Sequence, residues 1–594
     1  MLIYLFVSQH SFLGGSMNSL VIALLCFVGY VVAYHTYGKF LSKKIFQTNE
    51  ALECPSCSLQ DDKDYVPTKK EVLFGHHFTS IAGLGPIVGP AIAIIWGWVP
   101  AVIWVFFGSI FMGAVHDFGS LIVSMRNKGR SVGDVASSLI SSRVRTLFLL
   151  IIFFELLIVI AVFALIIGIL FNMYPASVIP VWGEVPIAIL LGYMVYKKGA
   201  GHTGLGILAV IIMYATVVVG AYVPLSMPTI GGMNPIVIWV VIMLAYAFIA
   251  STLPVQFLLQ PRDYINGHQL IVALGLLAIG ALVAAPAFVA PAVNMNPAGA
   301  PPIFPFLFVV IACGAISGFH SLVSSGTSAK QCENERDCQF IGYGSMLTEA
   351  ALSTLVIVAV GAGIGLGLTT SDGSVITGTT AFTTHYANWS TAAGLGAKLG
   401  AFVQGSANLM ASYGIPGQIA LTIMGVFLVS FAATTLDSAT RIQRYVVAEL
   451  AEAYNFKPAT TPIGATLVAV GTAALLCFHD GTSIGAVKKG ALALWPLFGT
   501  VNQLMAAMAL LVITVYLARK KVRTVFTAVP LVFMVAMTGW AMVYNLNNFM
   551  AKQNWMLFGI GLAVFLLEIW MIIESVIVLK SLSGSEPEPD PSTA

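Results

Sequence analysis

The residues with chemistry to do are titratable side chains set inside long apolar stretches. His116 and Asp117 sit side by side in FMGAVHDFGS, and Glu155, His320, Glu349 and Asp437 each interrupt an apolar run. Ionisable groups at membrane depth are costly, so they face a protein interior or a wet cavity and mark functional positions. Histidine exchanges protons near neutral pH. His116 and Asp117 therefore suit proton coupling, and His320, with hydroxyls beside it, suits substrate binding; plain helix-to-helix hydrogen bonding is the alternative for each. Asp437 is a further candidate for ion or proton coupling, although Arg441 one turn later on the same helical face gives it the pattern of an internal ion pair. After His320, the run SLVSSGTSAK presents hydroxyls. Ser324, Ser325 and Thr327 fit a hard cation such as sodium, or else mark close helix packing.

Backbone can supply a site too. HHFTSIAGLGPIVGP places Gly83, Gly85, Pro86, Gly89 and Pro90 within one apolar run, following His76 and His77. Proline removes a helical hydrogen bond, and unpaired backbone is tolerated at membrane depth only inside protein or along a cavity. With Pro86 in the first turn of a new half-helix, free N–H groups near Gly83 and Gly85 favour a carboxylate. His77 and Ser80 flank that break. A second break is expected in IVIWVVIMLAYAFIASTLPVQFLL, at Ser251, Thr252 and Pro254. Paired breaks are the usual pointer to a transporter's central site; ordinary proline kinks are the alternative.

Four of the seven cysteines lie outside the apolar runs, as CPSC (Cys54, Cys57) and CENERDC (Cys332, Cys338). Two pairs on one membrane face suit a four-cysteine zinc or iron–sulfur site, or are four ordinary thiols. Cys26, Cys313 and Cys477 read as packing residues.

The elements that position these groups must be membrane helices. The chain has 594 residues, 58% hydrophobic and 9% charged, with a net charge of +3. A soluble domain carries about 25% charged residues, and nothing in this charge points to nucleic acid. Runs near 20 residues give an all-α polytopic membrane protein with about fifteen spans, near 17–38, 77–96, 99–123, 147–170, 185–196, 203–223, 235–257, 268–292, 303–325, 343–368, 416–438, 461–478, 490–518, 525–546 and 555–580. Residues 397–414 read as a re-entrant or surface helix. Residues 1–16 read as an extension without the features of a signal peptide, and 581–594 as a disordered tail. With the N-terminus outside, all but four of the 28 basic residues fall in inner loops, the exceptions being Lys398, Lys488, Lys489 and Lys552, which obeys the positive-inside rule. The C-terminus is then cytoplasmic. The breaks imply two inverted five-helix repeats, about 77–223 and 235–438, inside a single domain from 17 to 580.

DYVPTKKEVLFGHHFTSIAGLGPIVGP, GSIFMGAVHDFGSLIVSMRNKGRSVGD and STLPVQFLLQPRDYI, followed by GAISGFHSLVSSGTSAK, IGYGSMLTEA, FAATTLDSATRIQRYVVAEL and LWPLFGTVNQL, resemble the carbon-starvation (CstA) family in order and over most of the chain. That resemblance implies a LeuT-type inverted-repeat core with extra helices, in the cell's inner membrane. It implies a secondary carrier importing peptides or pyruvate during carbon starvation with H+ or Na+, and not an enzyme. A membrane nutrient sensor with a carrier-like core is the alternative. His76, His77, Gly83, Gly85, Asp117, His320 and Asp437 fall inside the family's motifs; the four loop cysteines do not belong to them.

Overall fold

In the computed structural model, residues 17–370, 372–479 and 490–582 are described. The N-terminal extension, Lys488, Lys489 and nearly all of the C-terminal tail lie outside them. Twelve helices among the described residues are long and apolar enough to cross a membrane, and a thirteenth span is a bent pair. Pro462–Phe478 is apolar but shorter. One small antiparallel ladder, Leu368–Thr369 with Val375–Ile376, departs from an all-helical fold.

The helices used below are named in chain order. The bent pair is α1 (Lys70–Ala82) and α2 (Gly85–Ala93). Then come α3 (Ala114–Met125), α4 (Ser142–Met173), α5 (Val178–Gly192), α6 (Pro235–Thr252) and α7 (Leu259–Ala284). After them lie α8 (Ile303–Val310), α9 (Gly318–Gly326), α10 (Ser345–Gly361), α11 (Leu395–Ala411), α12 (Gly417–Ala453) and α13 (Trp495–Arg519). Local chemistry sets several ends. Asn234 caps α6 by accepting from the Ile236 N–H, with Pro235 in the first turn, where its missing N–H costs nothing. Gly83, at φ +20°, closes α1, and Pro86 opens α2.

Two expectations about breaks are corrected. The span at 235–257 is not broken at depth: α6 runs without interruption to Thr252, and Pro254 lies in the turn before α7. There Val255 donates to the carbonyl of Lys63, a loop residue. The span at 303–325 is the one that comes apart, into α8 and α9 with residues 311–317 outside any helix. The fifth span, placed near 185–196 in the sequence, extends over Pro175–Lys197.

Burial sorts the helices into a core and a rim. The spans of α4, α10, α12 and α13 are mostly buried in protein, whereas Ser19–Phe46 and Trp555–Ser581 are mostly exposed, the lipid-facing ring such a fold needs. Long α4 and α12 pack along each other, and α1 packs on α7. The two broken spans sit among them.

Candidate functional site

The breaks touch each other, and glycine is what allows it. A Cβ on Gly85 would collide with the side chain of Cys313, and one on Gly89 would come 2.6 Å from the Val310 carbonyl oxygen. At Gly83 a Cβ would stand 2.7 Å from Thr435 Oγ1 on α12. The start of α9 is held by a residue that sequence reading passed over: Asn502 of α13 accepts from the Phe319 N–H at 2.8 Å and donates to Ser317 Oγ at 3.0 Å. It lies in LWPLFGTVNQL, where only the polar side chain in an apolar run marks it.

Next to the breaks, four titratable side chains join into one chain. His116 Nδ1 meets Asp117 Oδ1 at 2.7 Å, Asp117 Oδ2 meets His320 Nδ1 at 2.9 Å, and His320 Nε2 lies 3.3 Å from Glu349 Oε2. All four are wholly buried, and they come from α3, α9 and α10. His320 thus stands between two carboxyls. Of the two, only Asp117 is hydrogen-bonded to it; Glu349 stands within ion-pair distance of Nε2 without a hydrogen bond, so a protonated ring gains charge attraction there. Protons come and go from such a set as a unit, not from one residue. Glu155 on α4 is also buried, with neither carboxyl oxygen partnered.

The other sequence candidates go to different places. His76 bridges Asp263 of α7 (2.5 Å) and Thr327 (2.9 Å), while His77 Nδ1 meets Ser328 Oγ at 2.7 Å and leaves Nε2 unpartnered. Ser80 pairs with Ser438 of α12 at 2.7 Å. Among the hydroxyls weighed for a cation, Ser325 donates to the Ser321 carbonyl and accepts from the Val132 N–H, and Thr327 meets His76 and Gln331. Only Ser324 Oγ is without a partner. Ser251 Oγ is buried and unpartnered, and Thr252 bonds back to its own helix at Ile249. No hydrogen bond among the described residues joins either to a break.

Asp437 does not pair with Arg441. It takes Arg262 of α7 and accepts from Tyr246 at 3.0 Å, with Glu184 of α5 lying 3.6 Å from Arg262 Nε. Arg441 turns instead to Asp64, at 2.6 Å, joined by Arg444 at 3.0 Å and the Tyr445 hydroxyl at 2.6 Å. Lys330 lies over the Tyr445 ring, 3.7 Å from its centre. Burial alone would raise the Asp64 carboxyl, but the guanidiniums of Arg441 and Arg444 hold it down at about 2.

The cysteine loops do meet: Thr68 pairs with Cys332 across a short bridge, and Ser56 Oγ donates to the Cys332 carbonyl at 2.7 Å. Cys332 and Cys338 bring their sulfurs to 3.8 Å, and Cys54 is buried nearby, but Cys57 is exposed. Among the described residues no three His, Cys, Asp or Glu side chains are arranged to hold a metal ion. The loops satisfy the expectation of contact, not that of ligand geometry.

A cavity of about 510 Å³ opens at the end of the molecule opposite Asp64. Gly85, Gly89 and Cys313 form its floor, and Trp389, Lys398 and Trp495 stand in its wall.

Fold and site together define a polytopic membrane protein built around touching helix breaks and a buried titratable centre. The family model for carbon starvation protein CstA matches residues 18–541, and the chain belongs to that family. It is 33% identical to the peptide transporter CstA of Campylobacter jejuni over 87% of this chain and 79% of that one. It is 31% identical to the pyruvate/proton symporter BtsT of Escherichia coli over 89% and 82%. The solved structure of MhsT in complex with L-phenylalanine covers 87% of this chain and 99% of its own, at 12% identity and a TM-score of 0.43, too loose a likeness to rest an argument on.

Proposed function

We propose that this protein is a proton-coupled secondary carrier of the inner membrane that imports pyruvate, short peptides or both when carbon is scarce. The observation that carries the reading is the buried chain His116–Asp117–His320–Glu349, standing beside two helix breaks in contact. A proton held there changes the hydrogen bonds between α3 and α9 and the charge facing α10 together. That is how an ion gradient can bias two arrangements of packed helices. The names of the relatives support the substrates, and none of them supports the sensor. Sodium is the weaker coupling ion, because the hydroxyls beside His320 are mostly engaged by protein partners.

The same reading revises the repeats to 70–284 and 303–519, each opening on a broken span. Six spans separate the breaks, so the two broken helices cross in opposite directions, as inverted repeats require. Val178–Tyr222 then forms a helical hairpin inserted in the first half, and α11 lies on the outer face of the second. On the orientation set by the basic residues, the cavity faces outward and the Asp64 cluster faces the cytoplasm, as does the C-terminus.

The test is uptake of labelled pyruvate and of labelled di- and tripeptides into proteoliposomes, with and without an inward proton gradient. Gradient-stimulated uptake of either class is the expected result. Functional protein that carries neither sinks the proposal.

A further inference from the structure

Lys398 is one of the few basic residues placed on the outer side, in the segment read as a re-entrant or surface helix. It is 6% exposed, in the first turn of α11, in the wall of the 510 Å³ cavity. Its ammonium lies 5.8 Å from the ring centre of Trp495, and no carboxylate or hydrogen-bond partner holds it among the described residues. A buried charge without a partner is costly. Among the described residues no carboxylate lines the cavity, and its other cation, Lys552, is exposed. The remaining wall explains what else fits. Trp389, Phe306 and Phe498 give an apolar surround, and the glycines at 85 and 89 leave room beside the first break. Cavities of about 300–1,000 Å³ are the usual size for small-molecule ligands.

We propose that Lys398 is the anion receptor of this cavity, pairing with the carboxylate of the incoming substrate while the aromatic wall packs against its apolar part. This deepens the carrier reading and rests on it for the identity of the substrates. The carboxylate is the shared chemistry: that of a short 2-oxo acid or the C-terminus of a short peptide. One ammonium can serve both, because it recognises the charged group and leaves the rest of the ligand to the apolar surround.

The experiment compares wild type, Lys398→Met and Lys398→Arg in proteoliposomes, using labelled pyruvate and labelled Ala-Ala, with pyruvamide and Ala-Ala-amide as competitors. Size-exclusion profiles confirm folded protein, and Lys398→Gln serves if the methionine variant aggregates. Lys398→Met should raise KM about tenfold or more for whichever carboxylate the wild type carries, the scale of one lost hydrogen bond to a charged group, with Vmax nearly kept. Lys398→Arg should recover most of the loss. The amides should compete no better with wild type than with Lys398→Met. An unchanged KM in Lys398→Met overturns the proposal, as does competition by the amides as strong as by the acids. A second readout is the melting shift that millimolar pyruvate or Ala-Ala induces in purified protein. If wild type carries neither substrate, the transport reading falls, and Lys398 is judged by that shift alone. A shift lost in Lys398→Met upholds the receptor; no shift, or an equal one, overturns it.

Discussion

The two ends of this molecule use buried charge in opposite ways. At one end Asp64 is surrounded by Arg441, Arg444 and Tyr445, each within 3.0 Å. At the other, Lys398 stands buried near an indole with no anion beside it among the described residues. Charges that satisfy one another clamp the Asp64 loop onto α12, a seal that fails when one of them is removed. A charge left unsatisfied is stable only as long as something else, here a ligand, supplies its partner. The cavity reaches the helix breaks from the Lys398 side, while charge pairs join elements on the Asp64 side.

Breaking the sealed end should have the largest effect. Asp64→Ala leaves two guanidiniums facing one another without an anion, a loss of about 3–5 kcal/mol for a buried pair deprived of one member. Thermal unfolding of the purified variant should show it, and a loss below about 1 kcal/mol would reduce the cluster to surface decoration. The seal also has a predictable pH range. Its carboxyl is depressed to about 2, so its contribution is present above the ordinary carboxylate value near 4 and disappears only as pH falls through about 2. The gap in melting temperature between wild type and Asp64→Ala should therefore be the same at about pH 5 and pH 7. Narrowing of that gap at pH 5 would mean that another group carries the seal.

Next in size is the contact that both ends share. A methyl group at Gly85 collides with Cys313, and overpacking of this kind costs about 1–3 kcal/mol. Gly85→Ala should slow uptake by forcing the two breaks apart, and Cys313→Gly in the same chain should restore part of the rate. Rescue is the informative result, because it ties the defect to the contact between the breaks and not to α2 alone. Asp117→Asn comes after it. The amide keeps the shape but offers His320 and His116 an uncharged partner, so proton-driven uptake should fall about tenfold, the value of a charge-assisted hydrogen bond, while exchange of labelled for unlabelled substrate without a gradient persists. Equal losses in both assays would assign Asp117 to structure.

How much of this was legible in the sequence depended on whether the cause was local. The break after α1 was visible because glycine and proline supply it directly, through Gly83, Gly85 and Pro86. The break between α8 and α9 was not, since IACGAISGFH contains no proline and its unwinding is imposed by neighbours. Gly314 lies against Ser353, and Gly318 against the backbone of Asn502. Pro254 misled for the converse reason: a proline just past a helix end is punctuation, not a kink. Each member of the titratable centre stood out as a charge in an apolar run, yet their connection runs through three helices and no spacing rule encodes it. Asp437 shows the same limit. Its nearest basic residue in sequence is one turn away, but α7 brings Arg262 to it and the Asp64 loop draws Arg441 off. The burial of Lys398 was not legible, because its Gly- and Ser-rich segment shows no packing face and only the fold of α11 near Trp495 buries it.

The smallest expected effect sharpens the comparison most. Lys552 lines the same cavity as Lys398 but is exposed. If sign alone mattered, the two lysines would be interchangeable attractants for an anion. Solvent makes them different: an exposed charge contributes about 0–1 kcal/mol and is screened by salt. Lys552→Ala should raise KM by less than about fivefold, and the increase should vanish in about 0.5 M salt, where the Debye length is only a few ångström. The increase caused by Lys398→Met should survive the same salt, because protein and not electrolyte surrounds that ammonium. Measuring both variants at low and high salt separates attraction at the rim from recognition in the wall. If salt erased both effects equally, the buried lysine would be acting only at long range, and the contrast between an unpaired receptor and a paired seal would lose its physical basis.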